Sequence, residues 1–303
     1  MANPKLIKKR VNSIKNIGKI TKALEMVSAA KVQKAQAAAL NAKPYAKLIY
    51  ELVSSLSGKT NVSEIPLLRT PIKVNSDMII FISTNRGLAG SLNTNLLKFS
   101  LDFLSQREGI KHSFITIGKK GRSFAATKGE LVADFSDEKN ISTISSSVTK
   151  LISEGFIQGT YDEVFIIYSE FINALTQEAR VKHLLPISKS ALKEEIGRES
   201  FELKGESDAK EKSIDSDISY SYEPDSVTVL SSLLPFYLEI QVAESIYEAD
   251  ASEHSARMIA MKNATDNSRE LSESLTLVYN KARQTLVTNE ISEITTAQVS
   301  LEN

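Results

Sequence analysis

The stretch ASEHSARMIAMKNATDNSRELSESLTLVYNKARQTLVTNEISEI, residues 251–294, contains neither Gly nor Pro. Nothing inside it punctuates a helix. Leu271, Leu275, Val278, Ala282 and Leu286 recur at spacings of four, three, four and four, which puts them on one helical face. The helical pattern extends upstream to about Asp225, with one interruption at Pro235, and downstream to near Gln298. Such a helix is about 110 Å long at ~1.5 Å per residue. A compact globule of this chain length has a radius of gyration of about 19 Å. The helix must project beyond its own domain, and its apolar stripe needs another surface along its length.

The opposite end of the chain offers that surface. Asn3 suits a helix cap and Pro4 a first turn. Ile7, Val11, Ile14, Ile17, Ile20, Leu24 and Val27 follow at helical spacing as one apolar face. From Ala29 the face turns small, through Ala30, Ala35 and Ala37 to Ala39, and small residues let another helix approach closely. Pro44 is a candidate kink. The pattern resumes through Leu48, Leu52, Val53 and Leu56 and stops at Gly58. If the middle of the chain folds as one domain, the two terminal helices leave it side by side and antiparallel, each covering the other's stripe. Threes and fours mix imperfectly, so the expected coiled coil is irregular or gently wound.

The middle reads as α/β. Met78–Ile82 is a short continuous apolar run, which fits a buried central strand. Further strands are expected at 113–117, 131–135, 163–168 and 179–185, with helices at 91–106 and 141–155 and a basic turn with a short helix over 118–128 between them. Strands alternating with helices predict a mostly parallel sheet covered on both faces. The expected division is an N-terminal helix over 1–58, an α/β domain over 59–222 and a C-terminal helix over 223–303. Residues 190–222 are polar, acidic and uneven, and read as a loop or insertion in that domain.

Formal net charge is zero over 303 residues, but the signs are segregated. Up to Tyr50 the acids are Glu25 alone, against Lys and Arg along the whole helix. A basic arm points to an acidic partner or is a solvated face. The chain has no Cys, which excludes disulfides, thiolate metal sites and cysteine nucleophiles. No apolar run approaches the ~18 residues of a membrane span.

Three stretches could carry chemistry. Ser83–Gly90 follows a strand end, where open α/β sheets bind ligands, and Arg86 with nearby amides could hold a phosphate. Neither a Walker pattern nor GxGxxG is present, so a structural turn competes with that reading. Gly118–Arg122 is a second basic turn. His112, His183 and His254 are scattered without metal-ligand spacing, so no metal and no cofactor is expected. On the last helix, Asn280, Lys281, Arg283, Gln284, Thr288, Asn289 and Glu290 form a polar set near the end. They are either contacts to a partner that encloses the tip or a solvated helix end. Arg283 stands out because its planar fork matches carboxylates. The rival readings are an α/β enzyme using Ser83–Gly90 for a phosphate ligand, and a nucleic-acid adaptor using the basic helix. The basic helix lacks the interleaved aromatics of a stacking platform.

Several of these residues also carry a family resemblance. Ile20-Thr-Lys-Ala-Leu-Glu-Met-Val27 with Ala29-Ala-Lys31, Asn85-Arg-Gly-Leu88, Tyr222-Glu-Pro-Asp225, Ala256–Lys262, Ala264-Thr-Asp-Asn267 and Leu277-Val-Tyr-Asn-Lys-Ala-Arg-Gln284 occur in order over nearly the whole chain. They resemble the gamma subunits of F-type (F1Fo) ATP synthase. The resemblance implies an antiparallel coiled coil of the terminal helices inside a collar of alpha and beta subunits, above a Rossmann-like domain. It implies a non-catalytic rotor shaft that couples proton flow through the c-ring to the catalytic beta subunits. Arg283 and Gln284 match residues that contact a catch loop of the beta subunit, with Thr288 and Glu290 in the same region. Leu24, beside Lys22, matches a position facing an acidic lever segment of beta. Tyr222 and Glu223 match the foot that meets the c-ring, and the epsilon subunit packs beside it. Neither nucleic acid nor direct membrane insertion is expected. The turn after Leu88 departs from the family's frequent Cys-Gly-Gly, reading Ala89-Gly90-Ser91. Without Cys there is no thiol switch of the plastid kind. The start of the chain so close to the helix favours the cytoplasmic face of a bacterial plasma membrane, with the matrix side of the mitochondrial inner membrane as the alternative.

Overall fold

The structure is a computed structural model that describes residues 4–57, 65–71, 73–187, 223 and 225–301, with side chains except at 39–47, 50–51, 54–57 and 298–301. The acidic stretch 190–222, Tyr222 included, lies outside the described residues.

The apolar run at 78–82 decides the centre of the fold. It forms β1 (Ser76–Ile82), and its side chains alternate between two faces, as strand geometry requires. Met78, Ile80 and Ile82 face one core and Ile79 and Phe81 the other, all essentially buried. The remaining elements are α1 (Pro4–Ser57), a 3-10 turn (Pro66–Leu68), α2 (Leu92–Ser105), β2 (Lys111–Ile117), α3 (Arg122–Lys128), β3 (Glu130–Asp134), α4 (Ile141–Ile157), β4 (Glu163–Phe171), β5 (Gln177–Leu185) and α5 (Ser226–Leu301). The sheet order is β3-β2-β1-β4-β5. The first four strands run parallel, with Ile80 opposite Ile115 and Ile166, and β5 returns antiparallel to β4. The mostly parallel, doubly covered sheet expected from the sequence is present.

β1 and β2 begin earlier than their apolar runs. Their polar starts pair in register, Ser76 with Lys111 and Asp77 with His112. Asp162 ties the start of β1, its Oδ2 accepting from the amides of Asn75 (2.8 Å) and Ser76 (3.1 Å).

Packing divides the described chain into two compact units. One is made from Met1–Ala30 and Arg257–Asn303, the other from Lys31–Ala256. In the larger unit α4 covers one sheet face through Ile144, Val148, Ile152 and Phe156. Leu230, Leu234, Leu238, Val242 and Ile246 of α5, with Ile49 and Val53 of α1, complete that core. On the other face α2 contributes Leu96 and Leu104, and α3 contributes Ala125. These placements explain why Pro235 does not interrupt α5. The ring removes one ladder donor, yet Leu234 and Leu238 on either side are fully buried and carry the helix through. Pro44 likewise lies within α1. By length and hydropathy α5 could cross a membrane, but many of its apolar residues belong to the sheet core.

Candidate functional site

The smaller unit is a two-helix assembly. Thr265 Oγ1 lies 2.8 Å from Thr21 Oγ1. A Cβ placed on Gly18 would fall 2.8 Å from Ser268 Oγ. Facing positions therefore move down α1 as they move up α5, and the helices run antiparallel. Extending by steps of four and three places Ile14 opposite Ser272, Val11 opposite Leu275 and Ile7 opposite Tyr279. In the other direction it places Glu25 opposite Met261 and Ser28 opposite Met258. Burial follows this heptad: Ile7, Val11, Thr21, Ser28, Met261, Ser268 and Ser272 are all buried.

That seam corrects the stripes expected from the sequence. Ile17, Ile20 and Val27 of α1 are exposed, Ile20 at 61%. On α5, Leu271, Val278 and Leu286 are exposed, and only Leu275 and Ala282 of the expected set are half-buried. The physical reason is close approach. Around Gly18 the helices approach too closely for large side chains, so Gly18, Thr21, Thr265, Ser268 and Ser272 occupy this part of the seam, while Ile17, Ile20 and Leu271 flank it. The pair thus keeps apolar seam residues at Ile7, Val11 and Met261 but has polar layers between them and exposed apolar residues beside them.

Between the helices runs an open groove of about 990 Å³. Lys15, Lys19 and Lys22 line it from α1 and Arg269 and Glu273 from α5, and Gly18 and Ser268 lie along it. Lys22 also pairs with Glu25 (2.9 Å). The sequence reading named Lys22 but missed the groove and its seam. The signal was the strict heptad 7, 11, 14, 18, 21, 25, 28, hidden because its later positions are small or polar.

The expected contact residues sort as follows. Leu24 is half-buried beside the seam. From Arg283 to Ala297 every side chain is exposed, and this part of α5 runs past the position facing Pro4, the first described residue of α1. Arg283 and Glu290, seven residues apart, share one face of that stretch, and Gln284 and Thr288, four apart, share the adjoining face. Thr288 Oγ1 donates to Gln284 O (2.9 Å). Leu286, Val287, Ile291 and Ile294 are exposed around the same tip, Ile294 at 67%. Glu223 is exposed, and Tyr222 is outside the described residues.

The rival site at Ser83–Gly90 belongs to the larger unit. The amides of the neighbouring basic turn lie close enough to have joined such an anion site. Those amides are already taken: Lys119 N donates to Asn85 Oδ1 (3.2 Å), Lys120 N to Thr84 O (3.1 Å) and Gly121 N to Ser83 Oγ (2.8 Å). Gly118 sits at φ +98°, and a Cβ there would lie 1.9 Å from Ser83 O. The two loops thus clasp each other, which favours the structural-turn reading of Ser83–Gly90. Each histidine lies near a carboxylate of the fold: His112 Nδ1 is 2.7 Å from Asp77, His183 Nε2 3.9 Å from Glu163 and His254 Nε2 3.3 Å from Asp250. Among the described residues no group of acids and histidines is placed to hold a metal.

Comparison with known proteins agrees with this geometry. The family model described as ATP synthase matches residues 3–301. The ATP synthase gamma chain of Roseiflexus castenholzii is 38% identical over 308 residues, covering 99% of each chain. That of Chloroflexus aurantiacus is 36% identical over 309 residues, again covering 99% of each. Among solved structures, a chain of the Euglena gracilis mitochondrial ATP synthase rotor has a TM-score of 0.61 at 21% identity, covering 94% of this chain and 98% of that one. A chain of the Tetrahymena thermophila mitochondrial ATP synthase central stalk and c-ring has a TM-score of 0.57 at 21% identity, covering 81% and 99%. An antiparallel helical pair joined to a five-stranded α/β unit, aligned end to end with these relatives, makes this chain a member of the ATP synthase gamma chain family.

Proposed function

We infer that this chain is the central shaft of an F1Fo ATP synthase and carries no catalytic site of its own. The observation that carries the reading is the set of exposed apolar residues on the outer faces of the helical pair. Ile17, Ile20, Val27, Leu271, Leu277 and Val278 face outward while Gly18, Thr21, Ser268 and Ser272 face inward. Apolar residues on both outer surfaces are favourable when a collar surrounds the pair. Residues 1–58 and 223–303 supply the shaft helices and 59–222 the foot, with Ile49, Val53, Leu230, Leu234, Leu238, Val242 and Ile246 of those helices packed into the foot's core.

In this reading the c-ring turns the foot, and the shaft turns with it inside a collar of alpha and beta subunits. Each beta subunit meets a different face of the shaft at each angle. The rotor shifts a catalytic site between open and closed states only by its difference in contact free energy between them. Arg283 and Glu290 on one face of the tip, with Gln284 and Thr288 on the next, are the hydrogen-bonding contacts to the beta catch loop. Leu24 and the groove of Lys15, Lys19 and Lys22 meet the acidic lever segment. Tyr222 and Glu223 meet the c-ring, with epsilon beside them. The complex sits on the cytoplasmic face of a bacterial plasma membrane.

Two measurements test this. The tagged chain, purified from native membranes, is expected to bring alpha, beta and epsilon partners with ATPase activity. Recovery alone, under conditions that keep other membrane complexes intact, removes the shaft reading. Replacing Arg283 and Gln284 together by Ala deletes contacts worth about 1–3 kcal/mol. ATP synthesis is expected to fall about tenfold, for a differential loss near 1.4 kcal/mol, with the complex still assembled. Unchanged synthesis and assembly would show the contact assignment to be wrong.

A further inference from the structure

Two adjacent layers in the middle of the helical seam are polar, between the buried apolar residues Val11 and Met261. Thr265 Oγ1 lies 2.8 Å from both Thr21 Oγ1 and Met261 O, and Thr21 Oγ1 lies 3.1 Å from Gly18 O. One hydroxyl donates across the seam and the other to a carbonyl of its own helix. In the adjacent layer Ser268 Oγ donates to Ile14 O (2.8 Å), a bond from one helix to the backbone of the other. Gly18 makes this reach possible, because any Cβ there would strike the Ser268 hydroxyl. Aliphatic seam residues hold a helix pair together but tolerate rolling and sliding. A polar seam residue defines one register at a cost in stability.

We propose that Gly18, Thr21, Thr265 and Ser268 form a torsional pin that fixes the rotation of α5 against α1, as positioning residues of the shaft. The pin lies along the basic groove, so a partner pressing on Lys15, Lys19 or Arg269 pushes against the two layers held by directional bonds. Without the pin the remaining aliphatic seam contacts let α5 roll. The outer face presented to the collar then no longer follows the rotor angle. This inference rests on the shaft reading for its consequence, but the pin itself is a property of the helical pair.

The test has two arms, both on the full chain in its assembled complex. The first reads geometry. The chain has no Cys, so an introduced pair is unique. Ile7→Cys with Tyr279→Cys reports the seam, and Ile7→Cys with Val278→Cys reports a roll. In the parent the seam pair is expected to oxidise at least tenfold faster. In the Thr21→Val, Thr265→Val, Ser268→Ala background that preference is expected to fall at least fivefold. The second arm reads coupling without added cysteines. ATPase activity of that triple variant is expected to stay within twofold of the parent, while ATP-driven proton pumping falls below half. Thr265→Ser, which keeps the hydroxyl, is expected to keep both at parent values.

An unchanged cross-linking preference overturns the pin. So does pumping that stays in step with ATPase activity in the variant. If the triple variant fails to assemble, Ser268→Ala alone decides: coupling equal to the parent overturns the proposal. A lost preference in a chain that recovers no ATPase partners keeps the pin and rejects the shaft reading.

Discussion

Arg107→Met is expected to destabilise the larger unit by about 3 kcal/mol, the order found when one partner of a buried ion pair is removed. Asp77 lies at the start of β1 with a side chain that is 0% exposed. Arg107 Nε donates to Asp77 Oδ2 at 3.2 Å, and its Nη2 donates to Glu163 at the start of β4. The guanidinium also lies over the Phe165 ring, 4.5 Å from its centroid. One cation thus neutralises carboxylates from two neighbouring parallel strands. His112 at the start of β2 holds the other Asp77 oxygen at 2.7 Å. Burial pushes His183, near Glu163, below the ordinary histidine value, so it is a poor substitute cation. Met fills much of the lost volume, so the effect reports charge, not a cavity. Hydrogen exchange of the β1 amides Met78–Ile82 is the measurement. About 3 kcal/mol accelerates exchange through global opening by about 150-fold. Asp77→Asn added to Arg107→Met removes the orphaned buried charge and is expected to restore at least half of the loss. Equal exchange in parent and single variant would mean that the network is incidental to the sheet.

Asp77 and Arg107 also mark where sequence reading stops. Strands and helices were legible because their signals are local. Met78–Ile82 is apolar at every position, which fits a strand covered on both faces. The antiparallel return of β5 was not stated from sequence. Its signal is a length, because the five residues between Phe171 and Gln177 are too few for a parallel crossover. That length is visible only once both strand ends are known. The ion network is non-local: thirty residues separate Asp77 from Arg107 and fifty-six separate Arg107 from Glu163. No spacing rule brings them together.

The helical pair shows a different failure. Its termini and antiparallel sense were legible from periodicity, but the buried face was not. Periodicity counts apolar residues, and here Ile17, Ile20, Leu271 and Val278 flank the contact while Gly18, Thr21 and Ser268 make it. A hydrophobic stripe marks a surface that needs cover. In a monomer that surface is the core. In a chain that works inside a collar it need not be, and the sequence alone does not say which surface the partner takes. Arg283, Gln284, Thr288 and Glu290 were singled out by family resemblance and by polarity near a helix end. The structure adds that they occupy two adjoining faces of an exposed stretch.

Glu248→Gln is expected to stabilise the larger unit by about 3 kcal/mol at pH 8 and by only about 0.4 kcal/mol at pH 4.5. Glu248 sits four residues after Glu244 on α5, a pattern that reads in sequence as a solvated face. The fold places its carboxyl against the sheet instead. Its Oε2 is sealed from solvent and has no hydrogen-bond partner. Burial, the dominant effect, pushes it from 4.5 to about 7. Lys182 pulls it down, Glu170 and Glu244 push it further up, and a hydrogen bond with Tyr168 pulls it down again. The sign follows from proton counting. Between pH 4.5 and about 7 the folded chain holds a proton that the unfolded chain has released. Stability therefore falls as pH rises through that window, and the full penalty is present above it. Gln is neutral at every pH and of nearly the same shape, so it removes the penalty only where Glu248 would be charged. Hydrogen exchange of the α5 amides around Glu248 should be about 150-fold slower in the variant at pH 8. The two proteins should differ only about twofold at pH 4.5, after correction for the intrinsic rate. A stabilisation independent of pH would mean that Gln acts through packing. Slower exchange in the parent at pH 8 would mean that Lys182 holds Glu248 charged in the native state. The expected outcome identifies the joint between α5 and the sheet as one that loosens when it loses a single proton.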